Sequence, residues 1–115
     1  NFDRGIGKTT GYQNNARFLF GKAANNETGL INLIDSHCTN LEINQNRDSG
    51  INQQNGANDT VFTSIKSEWN GTNWKFSGST NCSITGGITD RARDNYGIDI
   101  RDYEVRVCGG VSNAE

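Results

Sequence analysis

At 115 residues, with only 32% of them apolar and a formal charge of −2, the chain supports one domain, 1–115, around one modest core. Eleven Lys and Arg against thirteen Asp and Glu argue against tight electrostatic capture of nucleic acid or of an anionic membrane. No stretch approaches the roughly 20 apolar residues of a membrane-spanning helix, and a first residue of Asn1 rather than Met reads as a chain whose upstream segment has been removed, either a mature secreted or cell-surface protein or an artificially trimmed one.

Seventeen Asn stand beside fourteen Gly, ten Thr and eight Ser, with no Pro and no Met. That mixture predicts many short strands joined by turns. Residues 1–16 show no apolar period and read as an irregular arm. Within it, Gly5-Ile6-Gly7-Lys8-Thr9 resembles the end of a phosphate-binding loop, but the complete pattern needs a glycine where this chain has Phe2, and no strand can precede it. Arg17-Phe18-Leu19-Phe20 is the first apolar run, a short buried strand.

Leu30, Ile31, Leu33 and Ile34 then recur at helical spacing. They predict a short helix over 27–38, with Asn25, Asn26 or Thr28 as its cap and Glu27 at the positive end of its dipole. Leu41 and Ile43 switch to a period of two. From 44 to 59 only Ile51 and Ala57 are aliphatic, which predicts a long exposed loop; Asn46, Arg47, Asp48, Gln53, Gln54 and Asn55 are its candidate binding residues.

Asn70-Gly71 is the signature of a two-residue hairpin turn with positive φ at both positions. If it is the turn, Ser67 faces Trp74 and Ile65 faces Phe76, and Val61, Ile65, Trp69, Trp74 and Phe76 share the buried face, leaving Phe62 on the wrong side. Cys82 and Ile84 extend that face until Gly86-Gly87. Asp90 to Asp94 mixes charges like a solvated loop. A last strand over 98–108 needs a bulge near Arg101-Asp102, and 109–115 is a flexible tail. No internal repeat is evident.

Cys38, Cys82 and Cys108 have no zinc-like spacing. An oxidising compartment is favoured, with a Cys82–Cys108 disulfide that stabilises by about 3 kcal/mol and Cys38 under the helix or bridging to a second chain as a disulfide-linked dimer. Cys38–Cys82 and Cys38–Cys108 are the rival pairings, and three buried thiols the remaining alternative.

Together these features predict an α+β fold: a twisted antiparallel sheet with one short helix packed on one face, stabilised by a disulfide. The composition and the late cysteine pair are loosely similar to the globular heads of bacterial type IV pilins, whose long helix remnant the first twenty-five residues lack.

Chemistry-bearing residues are sparse. His37 is the single histidine, so a paired-histidine mechanism within one chain is ruled out. A small secreted ribonuclease-like hydrolase would use His37 as acid or base, with Glu42, Arg47 or Arg93 stabilising the transition state. Asp90, Asp94, Asp99, Asp102 and Glu104 alternate with Arg91, Arg93, Arg101 and Arg106, the pattern of an ion-paired surface rather than of a calcium loop. No metal or other cofactor is implied. Asn26, Asn58, Asn70 and Asn81 each begin a glycosylation-type triplet, no more than so many Asn, Ser and Thr give by chance. The leading expectation is a non-catalytic extracellular domain of recognition or assembly, a binding module or a subunit of a surface filament or virion, with a protein or surface glycan as partner. Sugar binding gains ground if Trp69 proves exposed rather than buried.

Overall fold

The computed structural model describes residues 4–7, 13–54, 56–77, 79, 81–92, 98–100 and 106–108. Among these residues there is no helix; every element is a strand. The chain runs β1 (Arg4–Gly7), β2 (Gln13–Asn14), β3 (Arg17–Phe18), β4 (Gly21–Ala24), β5 (Thr28–Ile31), β6 (Leu33–Ile34), β7 (His37–Thr39), β8 (Leu41–Asn44), β9 (Ser49–Gln53), β10 (Val61–Thr63), β11 (Lys66–Glu68), β12 (Thr72–Phe76), β13 (Ser83–Thr85), β14 (Ile88–Asp90), β15 (Ile98–Ile100) and β16 (Arg106–Cys108).

Every pairing between them is parallel. A first sheet has the order β1-β5-β9-β12-β15, a second β16-β13-β10-β7-β3, a third β14-β11-β8-β4, and β2 pairs with β6 alone. Each strand lies on its counterpart one coil earlier, so the chain winds as a three-sided parallel β-solenoid. In the second sheet Arg17, His37, Val61, Ser83 and Arg106 stand in one row. Their differences give coils of 20, 24, 22 and 23 residues.

The core runs along the axis. Leu30, Ile51 and Trp74 stack from the first sheet, Cys38, Phe62 and Ile84 from the second, Ala23 and Ile43 from the third. Phe62 meets the Trp74 ring edge-on at 5.4 Å and Phe76 at 5.9 Å. The Trp74 indole N–H donates to Thr89 Oγ1 at 2.6 Å, so the largest buried side chain leaves no polar atom unsatisfied.

This architecture corrects the α+β antiparallel expectation, and with it the likeness to pilin heads. Leu30 and Leu33 mimic helical spacing because β5 and β6 meet at Asn32, whose φ of +56° bends the chain and returns Leu33 to the interior. Ser64, at φ +55°, does the same between Phe62 and Ile65; both are buried, which removes the misplaced-Phe62 problem.

Asn70-Gly71 is not a hairpin turn, since neither residue has positive φ. Gly71 is needed instead for close approach: a Cβ there would stand 2.3 Å from the Asp48 carbonyl oxygen of the preceding coil. The 44–59 loop contains β9, and the single 98–108 strand is two strands in different sheets, β15 against Trp74–Phe76 and β16 against Ser83–Thr85. Part of the 1–16 arm is strand, β1 and β2. The 109–115 tail lies outside the described residues.

The Cys82–Cys108 disulfide is absent too: Cys82 is a buried thiol outside any disulfide, and its sulfur accepts from Gln53 Nε2 at 4.0 Å. The residue alongside Cys108 in the previous coil is Thr85, and coil-on-coil hydrogen bonding supplies the cross-link that a disulfide was expected to provide. Cys38 is in no disulfide either, and is fully buried between Phe18 and Phe62 in the second sheet.

Candidate functional site

The third sheet turns into the first through a corner that repeats in each coil. Asn25, Gln45, Trp69 and Arg91 occupy it with φ of +62°, +55°, +59° and +52°. All four are exposed. The residue that follows each points inward: Asn26, Asn46, Asn70 and Ala92 are buried.

Three of those buried residues form an amide ladder. The Asn26 backbone N–H donates to Asn46 Oδ1 at 3.1 Å, and that of Asn46 donates to Asn70 Oδ1 at 3.0 Å. Asn46 Nδ2 donates to Asn70 Oδ1 at 2.8 Å and to the Ala23 carbonyl at 3.2 Å. Asn70 Nδ2 reaches the Ile43 carbonyl at 3.0 Å, and Asn73 Nδ2 the Asp90 carbonyl at 2.8 Å. The ladder satisfies backbone groups that a sharp corner strips of strand partners, and it fixes the direction in which each preceding side chain leaves the solenoid.

Beside this corner lies the outer face of the third sheet. Lys22, Glu42, Lys66 and Ile88 form one row and Ala24, Asn44, Glu68 and Asp90 the next. The charges are matched locally: Lys22 Nζ is 3.5 Å from Glu42, Lys66 Nζ 3.0 Å from Glu68, and Arg91 Nε 3.5 Å from Asp90. The hydrogen bond and field of Glu68 hold the Lys66 ammonium above its ordinary pKa. Asn44 Nδ2 donates to Glu42 Oε1 at 2.7 Å.

Trp69 stands out at the end of this face. It is 44% exposed, whereas the hairpin register had placed it in the core. Its left-handed backbone costs a side-chain-bearing residue about 1–2 kcal/mol. Its one described ring contact, the Arg91 guanidinium 5.1 Å from the centroid, returns only about 0.5–1 kcal/mol at an exposed site. The same left-handed backbone is shared by Asn25, Gln45 and Arg91, so what distinguishes Trp69 is a part-exposed indole standing where the other coils place an amide or a guanidinium.

The other candidates are scattered. His37 is exposed on the second sheet and Glu42 lies on the outer face of the third, so the two stand on different sheets; Ser36 and Cys38 flank His37 but face inward. Arg47 and Asp48 are exposed at the corner after Asn46, with Asp48 4.0 Å from Lys75 Nζ. Arg93 and Asn55 lie outside the described residues, as do Lys8 and Thr9, while Gly5 and Gly7 belong to β1.

Asn46 and Gln53 are fully buried structural amides, which corrects their reading as loop contacts. Gln53 exchanges two hydrogen bonds with the Leu33 backbone, at 2.8 and 3.0 Å. Gln54 is exposed. Of the glycosylation-type asparagines, Asn26 and Asn70 are locked in the ladder, and exposed Asn81 donates to Asp59 Oδ1.

Sequence reasoning missed the corner spine of Asn25, Gln45, Trp69 and Arg91. The available signal was the dipeptide series Asn25-Asn26, Gln45-Asn46 and Trp69-Asn70, each a turn residue followed by a ladder asparagine. No protein-family model matches the chain, and no solved structure matches it.

Proposed function

We propose that this domain is a non-catalytic recognition module that takes a glycan at the corner spine centred on Trp69. The observation that carries this reading is Trp69 itself, a part-exposed indole on the same left-handed corner as two exposed amides. An indole offers a flat apolar face to a pyranose ring, and the exposed amides of Gln45 and Asn25 in the same row offer donors and acceptors to hydroxyls. An extracellular setting is the natural one for such a ligand.

Affinity electrophoresis against a panel of soluble polysaccharides tests the proposal, with Trp69→Asn as the comparison because asparagine tolerates the same backbone conformation. At least one polysaccharide is expected to retard the native protein and not the variant. Equal mobility of the two proteins across the panel would overturn the reading.

A further inference from the structure

Resting on that reading, we infer that the ligand is a neutral, extended glycan lying parallel to the solenoid axis, one sugar against Trp69 and the next ones over Gln45 and Asn25. The first argument is geometric. Asn25, Gln45 and Trp69 share one backbone conformation at equivalent positions of successive coils, so their side chains leave the surface in a row. Parallel strands set neighbouring members about 4.8 Å apart. One sugar of an extended chain advances by a comparable step, so successive rings meet successive coils without drifting out of register.

The second argument is chemical. Along the axis the row offers an indole and then two amides, each amide both donor and acceptor, which suits hydroxyls that are themselves both. Across the strands it offers neither: on one side of Trp69 is Glu68, engaged with Lys66, and on the other is Asn70, buried in the ladder. An axial ligand also has a direction. Arg91 holds one side of the indole, so the chain extends from Trp69 toward Gln45 and Asn25.

The third argument is electrostatic. Lys22, Lys66 and Arg91 beside the spine are each within 4.0 Å of a carboxylate, from Glu42, Glu68 and Asp90 respectively. These three pairs cancel at short range, and exposed Arg47 beside Gln45 is balanced by exposed Glu27 beside Asn25, so the spine carries no excess positive charge to select an anionic chain.

Calorimetric titration with β-1,4-linked gluco-oligosaccharides of one to about six units, and with oligogalacturonates of the same lengths as the anionic counterpart, tests this. Affinity for the neutral series should rise to about three units, one per spine residue, and then level off, independent of salt. The double variant Asn25→Gly/Gln45→Gly keeps the backbone conformation and removes the amides. It should lose the rise with length, so that three units bind no more tightly than one, while Trp69→Asn weakens every length by about tenfold or more.

If Trp69→Asn weakens binding but the glycine variant keeps the full length dependence, the axial placement is overturned and recognition at Trp69 stands. Salt-sensitive preference for the oligogalacturonates overturns the neutral ligand in the same way. If the native protein binds neither series, or Trp69→Asn matches it throughout, the recognition reading falls with the inference.

Discussion

Asn46 carries more of the structure than any charged residue among those described. It is fully buried, and its amide serves the Asn26 N–H, the Ala23 carbonyl and Asn70 at once. Replacing it with leucine strands two buried backbone groups and should cost at least about 2–4 kcal/mol in urea unfolding. Asn46→Asp should cost more still at neutral pH, because a carboxylate there would face the Ala23 carbonyl and Asn70 Oδ1 in place of an N–H donor. Burial raises that carboxyl's folded pKa above its unfolded value, so the variant should be least impaired in acid and lose stability as the pH climbs through the carboxylate range.

Cys38 gives a second prediction at this scale. Burial raises its thiol from 9.0 to about 12. The native protein therefore holds a proton that the unfolded chain releases, and stability should decline between pH 9.0 and about 12, a decline that Cys38→Ala should lessen. Native Cys38 should also resist thiol reagents at pH 8, and react once denaturant opens the core. The sequence displayed these residues without their roles, because a ladder asparagine and a loop asparagine are the same letter until the neighbouring coil is in place.

Among elements, the decisive feature is the left-handed corner residue. A strand alternates with period two only while it continues; at Asn32, Asn40, Ser64 and Trp69 the chain turns and the parity restarts. Inward residues such as Leu30 and Leu33, or Phe62 and Ile65, consequently fall three apart, which is also the spacing of a helix face. Alternation within a strand was readable: Trp74 and Phe76 are buried as the pattern requires. What joined the strands was not, because Asn-Gly marks a hairpin elsewhere and here marks a corner whose glycine admits the backbone of the coil before it.

Gly71→Ala should destabilise by more than about 2 kcal/mol, since its methyl group would meet carbonyl oxygens of Asp48 and Arg47 at 2.3 and 2.5 Å. Gly87→Ala should be at least as damaging: φ is +86° there and the added carbon would lie 2.2 Å from the Ile65 oxygen. Thermal melts of the two variants check both.

For the whole molecule, stacking of unequal coils explains why no repeat is evident in the sequence. Rows of 20, 24, 22 and 23 residues have no common period, and only the alignment of Asp35 with Asp59 and Asn81, or of Asn46 with Asn70, reveals them once the strands are paired. The spine around Trp69 was hidden for the same reason, being a neighbourhood made entirely across coils. In such an array each coil is secured by the ones on either side. Hydrogen exchange should therefore be slowest in the central strands β7 to β12 and faster in β3 and β4, and circular dichroism should be dominated by strand.

The unequal coils differ at particular corners. Between the second and third sheets the register is constant: a left-handed residue at Asn40, Ser64 and Gly86 is followed at once by Leu41, Ile65 and Gly87, the last itself at φ +86°. The extra length of the longest coil lies chiefly between Gln53 and Val61. Two of the three edges are thus adjustable hinges on a rigid shaft, and a foreign segment grafted between Gln54 and Gly56, both exposed and ahead of the Asn58 bridge to Ile34, should leave every row in step, whereas one residue inserted at Asn40 would put the rest of its coil out of phase with both neighbours.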